Sequence, residues 1–449
     1  MADGLKNLDL DEMLSNNVLP ENESSISALD QKHQWHPYTQ MKDFGSHIPV
    51  VEAKGSSLIL ENGNTIIDAI SSWWVNTYGH GHPHIQEAIY KQIGKLDHVL
   101  FAGFTHPAAI KLADKLLPLL PGNFNRLFFS DNGSTSVEVA MKMALQYFYN
   151  KGNKKRRVLL AFENAYHGDT FGAMATGGLG VFNSAFADML PTVVRIPIPE
   201  KGKENEASKA LDQIDLEEVC GFIYEPLVQG AAGMQFYEAT ALNPILKKIK
   251  DAGAFLIADE VMTGFGRLET MFASEQTEIK PDIMCLSKGL TAGVLPMGLT
   301  VATEEVFRGF YDDDKSKALM HGHSFTANPV GCAAAIAGLE LWESDEIQEQ
   351  RSSLMARQKA FAEKLSAHPI ATNIRVKGTL LALDVRSDET SNYNHGLRDE
   401  LYGYFIENGV LIRPLGNVIY VLPPYTITKA ELEKVHQTII NCLDKIQKT

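Results

Sequence analysis

The sequence predicts an α/β protein whose main sheet is mostly parallel and is covered by helices on both faces. Three observations support this prediction. Short apolar runs alternate with helical patterns from residue 125 to residue 302. Polar residues directly follow several of these runs, as expected where parallel strands end at a ligand cleft. The chain has 449 residues, which is too long for one hydrophobic core of ordinary size.

Six segments are predicted as strands of this sheet, namely 126–130, 158–162, 221–224, 255–259, 283–287 and 298–302. The residues that follow predict a smaller α+β lobe. It has a long helix over 338–366, strands over 378–385 and 418–422, and a closing helix that begins at Lys429. Residues 51–70, with Gly63 in a turn between two short strands, are expected to join this lobe.

These patterns divide the chain into four segments. Residues 1–31 are rich in Asn, Asp, Glu and Ser and are interpreted as a mobile tail. Residues 32–78 are assigned to the small domain, residues 79–335 to a large ligand-binding domain, and residues 336–449 to the C-terminal part of the small domain.

Composition favours small-molecule chemistry. Acidic residues outnumber basic ones by 55 to 41, and the resulting charge of −14 disfavours binding to nucleic acid or to an anionic membrane. The four cysteines form no Cys-x-x-Cys pair, which argues against a zinc site or a disulfide framework. With no signal peptide and no long apolar stretch in the sequence, we expect a cytoplasmic protein.

Two residues indicate a pyridoxal phosphate site. Asp259 closes the apolar run 255–259, and Lys288 follows the run 283–287. A lysine can bind the cofactor's aldehyde as an imine, and a carboxylate beside the ring nitrogen keeps that nitrogen protonated, so that the ring can absorb electrons. An apolar run ending in Asp-Glu is also typical of phosphate-loop NTPases, but the sequence contains no Gly-x-x-x-x-Gly-Lys-Ser/Thr motif.

Three further segments extend this prediction. Gly133 and Ser134 follow a strand and begin a helix, where backbone amides suit a phosphate dianion; Thr135 and Glu138 have the spacing of a capping box. Tyr166 follows the next strand and is interpreted either as a stacking partner of the cofactor ring or as a core residue. Glu225 ends a later strand and is expected to form hydrogen bonds near the cofactor hydroxyl or the lysine.

Two histidine-rich loops raise the question of a metal. They contain His321 and His323, and the run His80, His82 and His84. Neither loop has a carboxylate or cysteine at a spacing that completes a metal site, so we predict no metal. Loops that approach an anion explain the glycines and Ser324 more simply.

Together these segments identify the chain as resembling the class III aminotransferases of fold type I, over nearly everything from Trp35 onward. The family's motifs are present as 130–134, 166–169, 259–267 and 286–288. The resemblance implies a large domain with a mostly parallel seven-stranded sheet, a smaller α+β domain, pyridoxal phosphate as cofactor, and a homodimer. It also implies that the loop of His323 and Ser324 helps to bind the cofactor phosphate, across a dimer interface.

Three narrower motifs, at 35–39, 71–74 and 413–424, resemble those of members that convert 8-amino-7-oxononanoate to 7,8-diaminononanoate in biotin synthesis. That resemblance implies a catalytic role for Tyr38 beside Lys288 and Asp259, and a carboxylate contact at Arg413, which suits a guanidinium. The implied substrate residues are Tyr38, Trp73, Trp74, Tyr166, Lys288, Gly322 and Arg413.

The expected amino donor is S-adenosylmethionine. Members that use this donor often have Gly-Pro-Thr where this chain has Gly322, His323 and Ser324, so lysine stays open as the second donor. The sequence also leaves open an ω-aminotransferase that acts on ornithine or 4-aminobutyrate, and a catalytically silent binding protein.

Overall fold

The computed structural model describes residues 25–42, 45–178, 180, 183–387 and 395–448. The chain forms two compact units, one of residues 1–53 and 58–65 and a main unit of residues 54–57 and 66–449. Most of the predicted tail lies outside the described residues; its described end belongs to the helix Ile26–His33. The first unit also contains most of the strands Val50–Lys54 and Ser57–Leu60.

The main unit is built on a seven-stranded sheet. In chain order its strands are β1 (Phe124–Ser130), β2 (Val158–Phe162), β3 (Val193–Ile196), β4 (Val219–Tyr224), β5 (Phe255–Asp259), β6 (Ile283–Leu286) and β7 (Gly298–Thr303). Their order in the sheet is β1-β7-β6-β5-β4-β2-β3, and β7 alone among these strands runs antiparallel to its neighbours. The predicted mostly parallel sheet is confirmed, and the strand at its edge, β3, adds to the six predicted from the sequence.

Helices cover both faces of this sheet because its strands carry apolar side chains on both sides. Ile257 of β5 packs in the same cluster as Val137 and Ala144 of the helix Gly133–Asn150. Its neighbour Leu256 packs with Leu246 of the helix Ala239–Asp251. Successive residues of a strand point to opposite faces, so the two helices lie on opposite sides of the sheet.

The rest of the main unit is mostly helical. Its other α-helices are Ser71–Trp74, Pro83–Ile93, Pro107–Leu116, Phe171–Thr176, Glu204–Leu211, Glu304–Arg308, Pro329–Trp342, Asp345–Leu365, Leu397–Glu407 and Lys429–Lys448. The strands Ala371–Lys377, Leu380–Val385 and Val418–Val421 form an antiparallel sheet, and Thr65–Asp68 pairs in parallel with Val410–Leu411. None of the described helices is long and apolar enough to span a membrane.

The prediction of a single long helix over 338–366 is wrong. Two helices occupy this region, Pro329–Trp342 and Asp345–Leu365. The break falls at Ser344, whose backbone is extended and whose hydroxyl accepts a hydrogen bond from the backbone N–H of Ile347 at 3.4 Å. A serine in this position acts as an N-cap and starts a new helix.

Candidate active site at the ends of five strands

A cavity of about 470 Å³ lies where β1, β2, β4, β5 and β6 end. These strands run in the same direction, so the residues that follow them meet at one edge of the sheet. The residues predicted from the sequence that line this cavity are Trp74, Gly133, Ser134, Tyr166, Glu225, Asp259 and Lys288. Six of these seven residues end or follow strands, as predicted, whereas Trp74 was predicted from the resemblance; together they span more than 200 positions of the chain.

The start of the helix Gly133–Asn150 forms one wall of the cavity. Asn132 is the N-cap; its side chain accepts a hydrogen bond from the backbone N–H of Thr135 at 3.0 Å. The hydroxyl of Thr135 in turn accepts from the backbone N–H of Asn132, also at 3.0 Å. A Cβ atom added to Gly133 would lie 2.9 Å from a methyl group of Val261, so the close packing here requires glycine. The first amides of this helix are placed to bind an anion.

The capping box predicted between Thr135 and Glu138 is wrong, because the helix begins earlier and Asn132 caps it. The Glu138 carboxylate instead accepts hydrogen bonds from the backbone N–H groups of Gly172 and Ala173, at 2.7 and 3.1 Å. These groups belong to the first turn of the helix Phe171–Thr176. Glu138 thus satisfies amides at a different helix start, which spacing along the chain does not reveal.

Asp259 is held by two hydrogen bonds. Its Oδ2 atom lies 2.7 Å from Nδ1 of His167, and its Oδ1 accepts from the backbone N–H of Val261 at 3.0 Å. Since a carboxylate acts as the acceptor, His167 donates from Nδ1. The ionised carboxylate makes this bond charge-assisted, and the burial of both side chains shields it from water. His167 was not among the predicted site residues, and its direct link to Asp259 makes it a further candidate site residue.

Glu225 lies under the same edge of the sheet. Its two carboxyl oxygens accept from the backbone N–H groups of Tyr166 and Gly230, at 3.1 and 2.9 Å. Burial raises the pKa of Glu225 to about 7, His167 opposes this rise, and Asp259 adds to it. Glu225 therefore forms hydrogen bonds with backbone groups of the cavity wall, and its raised pKa lies near neutral pH.

Lys288 begins a short 3₁₀ helix, Lys288–Thr291, and has a left-handed backbone with φ of 45°. Its Nζ atom lies 4.5 Å from the centroid of the Trp74 ring. Burial lowers the pKa of Lys288 to about 8, although Asp259 and Glu225 both act to raise it. The lowered pKa increases the fraction of neutral amine near physiological pH, as nucleophilic and general-base lysines require.

Gly168 brings two loops into close contact. A Cβ atom added there would overlap the side chain of Ser134, and its φ of 122° is one that other residues avoid. The next residue, Asp169, donates its backbone N–H to the Ser134 hydroxyl at 3.2 Å. Its carboxylate accepts from the Tyr166 hydroxyl at 2.9 Å. This contact fixes Tyr166 at the mouth of the anion-binding helix start.

The two adjacent tryptophans have different surroundings. Trp74 is buried, lines the cavity, and its indole nitrogen has no hydrogen-bond partner among the described residues. Trp73 has 38% of its surface exposed, and the Arg413 guanidinium lies 5.0 Å from the centroid of its ring. Neither Trp73 nor Arg413 is among the described residues that line the cavity.

Tyr38 belongs to the first unit, and the catalytic and substrate-binding roles assigned to it stay predictions.

The loop with Gly322, His323 and Ser324 is likewise not among the described residues that line this chain's cavity. Gly322 and Ser324 are exposed, whereas His323 is half-buried and its Nδ1 lies 3.2 Å from Oδ2 of Asp131. The phosphate-binding role predicted for this loop therefore stays a prediction, and in this arrangement it requires a second copy of the chain.

One group of potential metal ligands lies in the described part of the N-terminal unit. Ligand atoms of Asp30, His36 and His47 lie within 4.8 Å of one another. The two imidazole rings stack, with centroids 3.6 Å apart and planes inclined by 13°. An ion bound by both rings would lie out of the plane of at least one of them, so this stacking is a poor geometry for coordination. The prediction that the chain uses no metal stays a prediction.

Comparison with known proteins identifies the family. The model of the family described as aminotransferase class-III matches residues 39–443. The chain belongs to the class III aminotransferases. The cavity fits the pyridoxal phosphate of this family: Lys288 offers an amine, Asp259 an acceptor for the ring nitrogen, and Gly133 with Ser134 a helix start for the phosphate. When bound, this cofactor supplies an electron-withdrawing ring that stabilises charge on the substrate carbon.

Several relatives share one name, adenosylmethionine-8-amino-7-oxononanoate aminotransferase. The relative from Synechococcus elongatus is 46% identical, over 92% of this chain and 99% of its own. The relative from Helicobacter pylori is 35% identical, over 95% and 99%. The crystal structure of the protein of this name from Methanocaldococcus jannaschii has a TM-score of 0.88 at 33% identity, over 93% and 98%. An amine transaminase from an uncultivated Pseudomonas species, solved with pyridoxal phosphate bound, has a TM-score of 0.86 at 27% identity, over 92% and 98%.

Proposed function

We propose that this chain is a pyridoxal phosphate-dependent transaminase that aminates 8-amino-7-oxononanoate to 7,8-diaminononanoate, with S-adenosylmethionine as amino donor. The observation that carries the proposal is the meeting of Lys288, Asp259 and Glu225 with an anion-binding helix start in one cavity. Relatives that cover nearly the whole chain and carry the name of this activity support the choice of substrates.

The residues of the cavity divide the chemical work. With its pKa lowered to about 8, Lys288 takes a proton from the amine-bearing carbon of the donor and returns a proton during the second half-reaction. The carboxylate of Asp259 is bound by His167 and would accept a hydrogen bond from the ring nitrogen of the cofactor. Trp74 places an aromatic wall beside Lys288, which excludes water and suits the methylene chain of the keto acid.

Recognition of the substrate carboxylate is assigned to Arg413. Its guanidinium lies over the Trp73 ring, 5.0 Å from the ring centroid, which restricts its position. A guanidinium has its N–H donors in one plane, where two of them can bind one carboxylate. This pair lies outside the cavity lining, so the assignment places the far end of a long substrate beyond the cavity itself.

We further propose that the active enzyme is a homodimer. Four large apolar side chains are exposed in two segments, Leu100 and Phe104 in one, and Met320 and Phe325 in the other. The segments meet where the rings of His98 and Phe325 lie 5.2 Å apart. Exposed apolar surface of this kind favours association. The same loop carries Ser324, whose predicted phosphate contact is then made in the partner's site.

Light scattering on the purified holoenzyme tests this proposal, and a mass of twice the 49.5 kDa of one chain is expected.

The decisive experiment is a half-reaction without keto acid. Purified holoenzyme is mixed separately with S-adenosylmethionine, lysine and ornithine, and the visible absorbance of the cofactor is followed. Bleaching by S-adenosylmethionine, and recovery on addition of 8-amino-7-oxononanoate, are expected. Bleaching by lysine alone would show that lysine is the amino donor in place of S-adenosylmethionine. Bleaching by ornithine alone would instead support an ω-aminotransferase that acts on ornithine, and would contradict the proposed reaction.

Loss of the lysine provides the matched control for this assay. Lys288→Ala is expected to abolish the bleaching and to leave no cofactor attached after borohydride reduction, because no other described amine lines the cavity. A borohydride-stable adduct in this variant would contradict the assignment of Lys288.

A further inference from the structure

Four side chains form a continuous chain beside the anion-binding helix start. Nζ of Lys142 lies 2.9 Å from Nδ1 of His321. Nε2 of His321 lies 3.1 Å from Nε2 of His323, and Nδ1 of His323 lies 3.2 Å from Oδ2 of Asp131. The chain therefore connects a cation to an anion through two imidazoles, and the site described above does not use it.

The direction of every hydrogen bond in this chain follows from the two ends. An ammonium group only donates, so Nδ1 of His321 accepts and its Nε2 carries the proton. His323 then accepts at Nε2 and donates from Nδ1 to the Asp131 carboxylate. Every atom is satisfied with both imidazoles neutral. Burial, together with Lys142 and His323, lowers the pKa of His321, which favours this neutral form.

The position of Asp131 gives this row of hydrogen-bonded side chains a role. Asp131 lies between β1 and Asn132, the cap of the helix whose first amides are assigned to the cofactor phosphate. Asn132, Gly133 and Ser134 line the cavity, whereas Asp131 is not among the described residues that do so. A free carboxylate at this turn would repel a phosphate dianion and compete with it for the helix start.

We propose that His323 is a positioning residue that binds Asp131 and holds its carboxylate away from the phosphate site, with His321 and Lys142 fixing the tautomer that makes this possible. This inference rests on the proposed function, since the phosphate is that of the cofactor. It assigns His323 an indirect action on the phosphate, through Asp131.

The test compares cofactor affinities of purified protein, measured by titrating the visible absorbance with pyridoxal phosphate and, separately, with pyridoxal. His323→Ala is expected to raise the dissociation constant for pyridoxal phosphate about fivefold, the effect of roughly 1 kcal/mol of repulsion between nearby exposed charges. The constant for pyridoxal should not change, because pyridoxal carries no phosphate. Adding Asp131→Asn to His323→Ala should restore wild-type affinity, since the repelling charge is gone.

Two further variants separate this role from simple support of the loop. His323→Gln is expected to keep near-normal affinity, because its amide can accept from His321 and donate to Asp131. His368→Ala is the matched control, since His368 forms a similar pair with Asp444, at 3.2 Å, in another part of the main unit. It is expected to leave both affinities unchanged.

Several outcomes would overturn the inference. They are equal weakening of pyridoxal and pyridoxal phosphate by His323→Ala, failure of Asp131→Asn to restore affinity, or an unchanged affinity in His323→Ala. If His323→Ala does not fold, Asp131→Asn alone decides: the inference requires affinity for pyridoxal phosphate at least equal to wild type, and a fivefold loss refutes it. A wild-type protein that binds no pyridoxal phosphate at all would instead refute the proposed function.

Discussion

The hydrogen bond between His167 and Asp259 leads to the sharpest prediction about catalysis. His167→Phe keeps an aromatic ring of similar volume but removes the donor that lies 2.7 Å from Oδ2 of Asp259. A buried hydrogen bond to a charged group contributes about 1.5–3 kcal/mol. If that energy serves to align Asp259 with the cofactor ring, its loss slows proton transfer by about tenfold to a hundredfold.

Stopped-flow absorbance in the first half-reaction, at saturating donor, measures this step directly. His106→Phe is the matched control. His106 is also buried and has a 2.7 Å hydrogen bond, but its partner is the backbone carbonyl of Ala327 and it does not line the cavity. The control is expected to lose stability without a change in rate. If His167→Phe retains a rate within about twofold of wild type while binding the cofactor fully, the alignment role is refuted.

Three further predictions test other parts of the site. Because the pKa of Glu225 is raised from 4.5 to about 7, its contribution to apoenzyme stability is present below pH 4.5 and is lost as pH rises through 7. Urea unfolding should therefore show that Glu225→Gln gains about 3 kcal/mol relative to wild type between these pH values; a constant difference would contradict the shift. Gly168→Ala should lose bound cofactor, measured as a loss of visible absorbance, because the added Cβ would overlap Ser134. Gly403→Ala is the control and should keep the cofactor, because there is open space around Gly403. Retention of cofactor by Gly168→Ala would refute the packing argument. Arg413→Ala should raise KM for the keto acid at least tenfold more than KM for the donor, as loss of a bidentate carboxylate contact predicts, and equal effects in steady-state kinetics would remove this assignment.

The position of the site was predictable because one physical rule relates the sequence to it. Residues that follow parallel strands gather at one edge of a sheet, so Glu225, Asp259 and Lys288 were located by finding the strands alone. Each also has a side chain that is costly to bury at a strand end without a purpose. The fold class followed from the same alternation of strands and helices, and the family resemblance added the number of strands.

What sequence reasoning missed are pairings between segments that are distant in the chain. His167 belongs to a recognisable motif, but its partner lies 92 positions away and no spacing rule links them. Glu138 matched a capping box and instead caps another helix, since backbone amides compete for any carboxylate within reach. A histidine between a cofactor-lining tyrosine and a glycine was the available signal for His167, but periodicity alone does not separate it from a buried core histidine.

The ionisable groups of the cavity also account for a coupling between cofactor binding and stability. The pKa of Lys288 is lowered from 10.5 to about 8, so a folded apoenzyme binds fewer protons than the unfolded chain between these pH values. Stability of the apoenzyme therefore rises with pH across this window, and burying the charged amine is a cost at neutral pH. Only the neutral amine could bond to the cofactor aldehyde, so binding to the charged form would have to release a proton, whereas the cofactor phosphate would satisfy the amides of the helix start in either form. The cofactor is thus expected to stabilise the fold more strongly above pH 8, where Lys288 is already neutral, than at lower pH.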